Sequence, residues 1–489
     1  MIHSTKLIQK CFARSIVSVK PVIPPLSQPL EGMPVLKPLK QKIAPKVEMT
    51  TLENGLRIIT KDDFDIVSSV GVALNIGSGQ EKRNEYGCTQ LLEKMLFKQT
   101  EHTSQEQMTK RVNEVGTNCS AFVGRDTFTY TISTPRDKVK DMVSILKECI
   151  EEPVFDQESI RNTKDIFTLE NQTLYLNKTF DLFISDATFA SMYGINSPYG
   201  HKLRQSPEIL SSISSNTLTS FYKSNISYQN LVFCATGVDH DSFVGYIKEN
   251  MPKLPNRPYY IPPAKSLLMP GGGYYCEDKE TEYVHIGVTF NTGGWDSKDI
   301  FTVMLLQTLL GGGSAFSSGG PGKGIFSKLY VNVLCRYSFV ESAQCYVTPL
   351  PTSGCTSVVI QVPPQYASSG TQIICNEIHK LAFGDISNEE LERAKNRSIA
   401  LQFMNTESRQ ILCEDMARQG LIYNEYKNDD VVIDSFKKVT KDDIVRLIRS
   451  SLSKPVGVSA FGPSVGGSKS CVPPFEQVQQ YMKKDNWKI

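Results

Sequence analysis

The sequence predicts an α+β protein made of two homologous halves, each a sheet packed against helices. Three observations carry this expectation. A strand–turn–helix unit occurs twice in the same order, a proline-rich stretch lies between the copies, and both halves mix apolar strands with helical periodicity. The first copy reads Gly71-Val72-Ala73-Leu74-Asn75-Ile76-Gly77 and the second Gly287-Val288-Thr289-Phe290-Asn291-Thr292-Gly293. Each is a short strand-like run closed by a glycine turn. Each is followed by a stretch with apolar residues at i, i+1, i+4 and i+5, the mark of a buried helix face. Those residues are Leu91, Leu92, Met95 and Leu96 in the first copy, and Leu305, Leu306, Leu309 and Leu310 in the second.

The divider runs from Pro252 through Pro255, Pro258, Pro262, Pro263 and Pro270 to Gly271-Gly272-Gly273. Proline fixes φ and cannot donate to a ladder, so residues 252–273 read as an extended linker between domains over 46–251 and 274–489. Ahead of the first unit, Asn54-Gly55 between Thr50–Leu52 and Leu56–Thr60 reads as a tight hairpin. Helical periodicity covers Asp141–Glu151, Gln157–Asn177, Ile373–Phe383 and Asn388–Met404. Leu231–Ala235 and Thr356–Val362 read as strands.

The bulk numbers narrow the function classes. A length of 489 residues suits several domains of ordinary size. A net charge of +2 offers no electrostatic case for nucleic acid or an anionic membrane surface, so no nucleic-acid partner is expected. No apolar run approaches the roughly 18 residues of a membrane-spanning helix. The cysteines are scattered from Cys11 to Cys471 with no CxxC pair, which fits reduced, mostly buried thiols rather than a disulfide framework or a zinc knuckle.

Residues 1–30 read as an address. They contain no acidic residue; Lys6, Lys10 and Arg14 share one helical face, while Leu7, Ile8, Cys11, Phe12 and Ile16 lie mostly on another. A basic, acid-free, amphipathic start has the composition of a mitochondrial transit peptide, and Pro21, Pro24 and Pro25 would end its helix. Residues 31–45 then form a linker.

Chemistry is expected around the first repeated helix, Gly87-Cys88-Thr89-Gln90-Leu91-Leu92-Glu93-Lys94-Met95-Leu96-Phe97-Lys98. Positions 90, 93 and 94 share one helical face. An inverted zincin places His-x-x-Glu-His there, two imidazoles holding Zn²⁺ and the Glu serving as general base. The run Leu91-Leu92-Glu93 with Met95-Leu96-Phe97-Lys98 resembles the active-site helix of the M16 peptidases. Both His positions are replaced, by Gln90 and Lys94, and only Glu93 remains. The resemblance implies a further Glu ligand on a later helix, and Glu170 has suitable spacing. A neutral amide is a poor zinc ligand, and Lys94 puts a cation where the metal would sit. Lys94 is therefore expected to pair with Glu93 or Glu170, leaving no metal on this chain. The six histidines stand too far apart in sequence for a local His-x-x-His site elsewhere.

The most distinctive segment is the glycine-rich loop 311–324, with Gly311, Gly312, Gly313, Ser314, Phe316, Gly319, Gly320, Pro321, Gly322, Lys323 and Gly324 as candidate substrate-binding residues. So many glycines cannot pack a core; they let a backbone approach closely and change shape. A nucleotide site fails, because G-x-x-x-x-G-K-[ST] would need Gly at Ser317 and Ser or Thr at Gly324. From Gly311 to Tyr330 the segment instead resembles the signature of the alpha-subunit group of mitochondrial processing peptidases. Ser314-Ala315 departs from the usual Gly-Ser, and Gln90 departs from the His that many of that group retain; Lys94 after Glu93 is typical of it.

That resemblance implies two M16-type domains and a heterodimer in the mitochondrial matrix. A catalytic beta subunit would bring the zinc, and this chain would bind presequences of imported precursors through the loop. Glu341 and Asp296 are candidate acidic contacts for a basic presequence. This reading also leaves room for peripheral association with the inner membrane or complex III. Three rival readings remain. One is a structural core subunit of the cytochrome bc1 complex. The others are a peptidase active alone and a nucleotide-binding protein.

Overall fold

The computed structural model describes residues 45–177, 180–258, 272–314, 325–467 and 469–483. The address segment 1–30, nearly all of 31–45, the middle of the proline-rich stretch and residues 315–324 lie outside them. The Asn54-Gly55 hairpin forms as expected, with Gly55 at φ +86° turning β1 (Val47–Thr51) into antiparallel β2 (Arg57–Lys61). With β3 (Val67–Leu74), β4 (Asn118–Val123), β5 (Phe128–Pro135) and β6 (Leu231–Thr236) they make a six-stranded sheet in the order β1-β2-β6-β3-β5-β4.

The second sheet has β7 (Tyr274–Asp278), β8 (Val284–Asn291), β9 (Gly312–Ser314), β10 (Ser342–Pro349), β11 (Gly354–Val362) and β12 (Gly457–Gly462), ordered β7-β12-β8-β11-β10-β9. Five strands correspond in order and direction. β2-β6-β3-β5-β4 matches β7-β12-β8-β11-β10, each with one parallel pair at its start and antiparallel pairs thereafter. The sixth strand is added at opposite edges: β1 beside β2, and β9 beside β10.

The repeated strand–turn–helix units are β3 with the helix Cys88–Met95, and β8 with the helix Ile300–Leu310. Their shared glycine has a packing reason. A Cβ on Gly71 would meet Thr131 Cγ2 at 2.8 Å, and one on Gly287 would meet Ser459 Oγ at 2.6 Å. The other expected helices are found as Val139–Glu151, Gln157–Leu176, Ala367–Ala382 and Asn388–Glu407.

Two helices cross between the halves. Asp181–Tyr193, from the first half of the chain, lies on the second sheet against β7, β8 and β12. Arg409–Ile422, from the second half, lies on the first sheet against β2, β3, β5 and β6. Leu412, Met416 and Ala417 there form one apolar cluster with Ile59, Ala73 and Val232. Buried Arg125 ties the exchange down: it donates to Asp186 at 2.6 Å and to the carbonyls of Tyr199 and His201 at 2.8 and 2.7 Å, and lies 4.1 Å from the Phe189 ring centre. Such a charge is tolerable in the interior only because its donors are used.

Candidate functional site

The helix Cys88–Met95 starts where Gly87 turns through φ +97°. Buried Glu81 caps it, accepting the N–H groups of Gly87 at 3.1 Å and Thr89 at 2.6 Å. Glu81 Oε2 also lies 3.0 Å from His201 Nε2, and the His201 ring stacks on Tyr86 with centres 4.0 Å apart. The helix and the segment 197–205 are thereby locked together.

The face expected to have held a metal points to that segment and to the helix Gln157–Leu176. Gln90 is 3% exposed and spends its side-chain oxygen on the backbone N–H of Gln205 at 2.9 Å. Its amide nitrogen is buried with no partner, a donor where a metal needs electron pairs. Lys94 Nζ lies 2.9 Å from Glu170, whose other oxygen accepts from Arg204 at 3.2 Å. Both cations also lie 5.8 Å from the Phe167 ring centre. Burial pulls the Glu170 carboxyl upward, but the hydrogen bonds and charges of Lys94 and Arg204 outweigh it and hold it below the ordinary range. Burial dominates at Glu93 and raises its carboxyl despite the same two cations.

These residues do not fit zinc. The two imidazole positions carry an amide already in use and an ammonium, and the third ligand is claimed by two cations. Among the described residues no group of three or more His, Cys, Asp or Glu side chains could hold a metal ion. The expected Lys94 pairing is found with Glu170. The sequence did not point to Arg204, Gln205 or the Glu81–His201 pair, which sit on irregular segments without spacing signals.

Gly311–Ser314, the described start of the glycine-rich segment, does not run as a loop. Gly312–Ser314 is the edge strand β9, pairing with Gln344, Ala343 and Ser342. Gly311 and Gly312 adopt φ +55° and +109°, and a Cβ on Gly312 would fall 1.9 Å from the Ala343 carbonyl oxygen. Glycine is required there both by conformation and by the closeness of β10. Ser327, on the far side of the segment, accepts the Gly312 N–H at 3.1 Å. The candidates Phe316, Gly319, Gly320, Pro321, Gly322, Lys323 and Gly324 lie outside the described residues.

Two cavities border the helix Asn388–Glu407. One of about 370 Å³ is lined by Leu309, Ile325, Phe326, Ala400 and Met404 among others. The other, of about 490 Å³, opens between the first sheet and helices of the second half, and includes Phe122, Leu401, Ile411, Glu414 and Asp415. Thr308 lines both.

Residues 57–197 match the family described as Insulinase (Peptidase family M16), and residues 212–398 match its Peptidase M16 inactive domain. The chain is 30% identical over 439 residues to a probable mitochondrial-processing peptidase subunit alpha-1 of Arabidopsis thaliana, covering 89% of this chain and 86% of that one. The chain belongs to peptidase family M16, with the mitochondrial-processing peptidase alpha subunits. The human mitochondrial-processing peptidase subunit alpha is 26% identical over 488 residues, covering 95% of this chain and 90% of its own. A protease from Helicobacter pylori shares the fold, with a TM-score of 0.74 over 86% of this chain and 100% of that chain, at 17% identity.

Proposed function

We propose that the chain is the non-catalytic, substrate-recognition subunit of a mitochondrial processing peptidase in the matrix. It binds the presequences of imported precursors at the glycine-rich segment 311–324 and presents them to a zinc-bearing beta subunit. The observation that carries this is the Lys94–Glu170–Arg204 cluster, which puts an ammonium and a guanidinium on the carboxylate a zinc site would need. Cleavage then needs a metal from a partner. The names of the relatives supply the partner class, and the glycine-rich edge supplies a place where a peptide backbone can approach closely. The same alpha-subunit relatives favour this reading over a bc1 core subunit.

The test mixes the mature chain with a catalytic beta subunit and assays cleavage of a presequence peptide, with each subunit also alone. Cleavage by the mixture only, with peptide binding weakened on deleting 311–324, is the expected result. An inactive mixture, with the chain recovered in respiratory complex III, would hand the case to the bc1 reading.

A further inference from the structure

Two thiols from opposite halves of the chain meet inside the fold. Cys234, on β6, and Cys413, on the crossing helix Arg409–Ile422, are both fully buried and lie Sγ to Sγ at 3.0 Å, although 179 positions separate them. Among the described residues, no other two cysteines stand in hydrogen-bonding contact. Ile59, Ala73, Val232, Leu412, Met416 and Ala417 enclose the pair in one apolar cluster.

The frame makes room for these thiols. Gly71 of β3 lies directly opposite Cys234 in the ladder, and a Cβ there would press on the Cys234 sulfur at 3.2 Å. The second sheet repeats the arrangement with other chemistry. Gly287 of β8 lies opposite Ser459 of β12. A Cβ on Gly287 would meet Ser459 Oγ at 2.6 Å and, on the helix Asp181–Tyr193 that crosses onto this sheet, Thr188 Cγ2 at 3.1 Å. Strand, glycine and covering helix correspond, but hydroxyl-bearing residues stand where the first half has thiols. Packing on this frame therefore does not demand cysteine; what the first half gains is a pair that can bond to itself.

A disulfide needs its sulfurs about 2.05 Å apart, so closure asks each to move by about half an ångström. Burial raises the Cys413 thiol well above its ordinary range, and Cys234 adds to the shift, so the closed pair holds little thiolate. Oxidation is therefore slow while the helix lies on the sheet and speeds up as the helix lifts.

We propose that Cys234 and Cys413 are a dithiol redox site, which a peroxide closes into a disulfide that staples the helix Arg409–Ile422 to the first sheet. One thiolate attacks a peroxide oxygen, the O–O bond breaks, and a sulfenic acid forms as hydroxide leaves to take up the thiol's proton as water. The second thiolate attacks that sulfur, the S–O bond breaks, and a second water is released. Two thiols and one hydrogen peroxide give one disulfide and two waters, the two electrons lost by sulfur reducing the peroxide. A small-molecule thiol reverses the bond by exchange. The stapled helix supplies Ile411, Leu412, Glu414 and Asp415 to the wall of the larger cavity, so oxidation fixes that wall.

The test treats the full chain with hydrogen peroxide, in buffer and in urea below the unfolding midpoint, then blocks free thiols with N-ethylmaleimide and digests without reduction. Mass spectrometry is expected to find the Cys234 and Cys413 peptides joined and two hydrogens lighter than their sum, the joined fraction growing several-fold faster in urea. The joined chain should melt about 3–5 °C higher, a gain that a thiol reductant removes. Cys234→Ser, which copies Ser459, and Cys413→Ala should each show neither the link nor the peroxide-dependent gain. Recovery of Cys234 and Cys413 blocked or oxidised singly, under conditions that oxidise the exposed Cys335, overturns the site. A link from either of them to another cysteine overturns it as well. A Cys234–Cys413 link that leaves the melting temperature unchanged overturns the staple.

Discussion

The two sheets invite a comparison, because the same five-stranded frame carries a different sixth strand in each half. In the first half the extra strand β1 joins the β2 edge and leaves β4 as the other border. In the second, Gly312–Ser314, at the start of the glycine-rich segment, extends the sheet beyond β10, the counterpart of β4. The helix after the repeated strand has also diverged. In the first half it carries the remains of a metal-binding face, now closed by Lys94 and Arg204 on Glu170. In the second it is apolar nearly throughout and serves the core, with Leu305, Leu306, Leu309 and Leu310 buried. A duplicated frame can therefore lose a chemical site in one copy and add an edge strand in the other, because edges and helix faces change without disturbing the strand ladder.

Five variants probe that comparison. The largest effect is expected from restoring the imidazoles. A Gln90→His/Lys94→His variant frees Glu170 from its ammonium and rebuilds the ligand set, so metal analysis should find about one zinc per chain against none in the wild type. Failure to take up zinc would mean that Arg204 and Gln205 close the site independently of Lys94.

Asp186→Ala leaves Arg125 buried without its carboxylate where the helix of one half crosses to the other. A loss of about 3–5 kcal/mol in denaturant unfolding is expected. A small loss would show that the Tyr199 and His201 carbonyls suffice.

Gly312→Val must push β9 away from Ala343, at a cost capped by unpairing a three-residue edge, roughly 1–3 kcal/mol. Gly313→Ala, with no atom within 4 Å of its new Cβ, should stay within about 0.5 kcal/mol. Peptide titration of the pair tells whether the edge geometry or mere flexibility matters; equal effects would erase the distinction.

A pH-dependent effect concerns Asp126, whose carboxyl burial pushes up to about 6. A folded value above the unfolded one means that the folded state holds the proton more tightly. Stability is then fully present below about pH 4 and is lost as pH rises through about 6. Asp126→Asn should therefore melt higher than the wild type at pH 7.5, by an amount worth on the order of 3 kcal/mol, and match it near pH 3.5. A constant difference across that range would point to packing instead of titration.

The sequence by itself determined the local elements and the chemistry that is missing. Period-2 and period-3.6 patterns, the Asn54-Gly55 turn and the repeated Gly71 and Gly287 units depend on residues close in the chain, where spacing alone specifies geometry. Gln90 and Lys94 likewise announce a spoiled metal site, since ligand chemistry is a property of residue type. Tertiary structure alone decided which partners fill that site and which helix covers which sheet. Arg204 reaches Glu170 from an irregular segment 34 residues away, and Gln205 meets Gln90 across 115. The exchange of Asp181–Tyr193 and Arg409–Ile422 between the halves was equally invisible. The physical reason is that an apolar helix face states that it must be buried, but the hydrophobic effect is non-directional and does not name the surface that buries it.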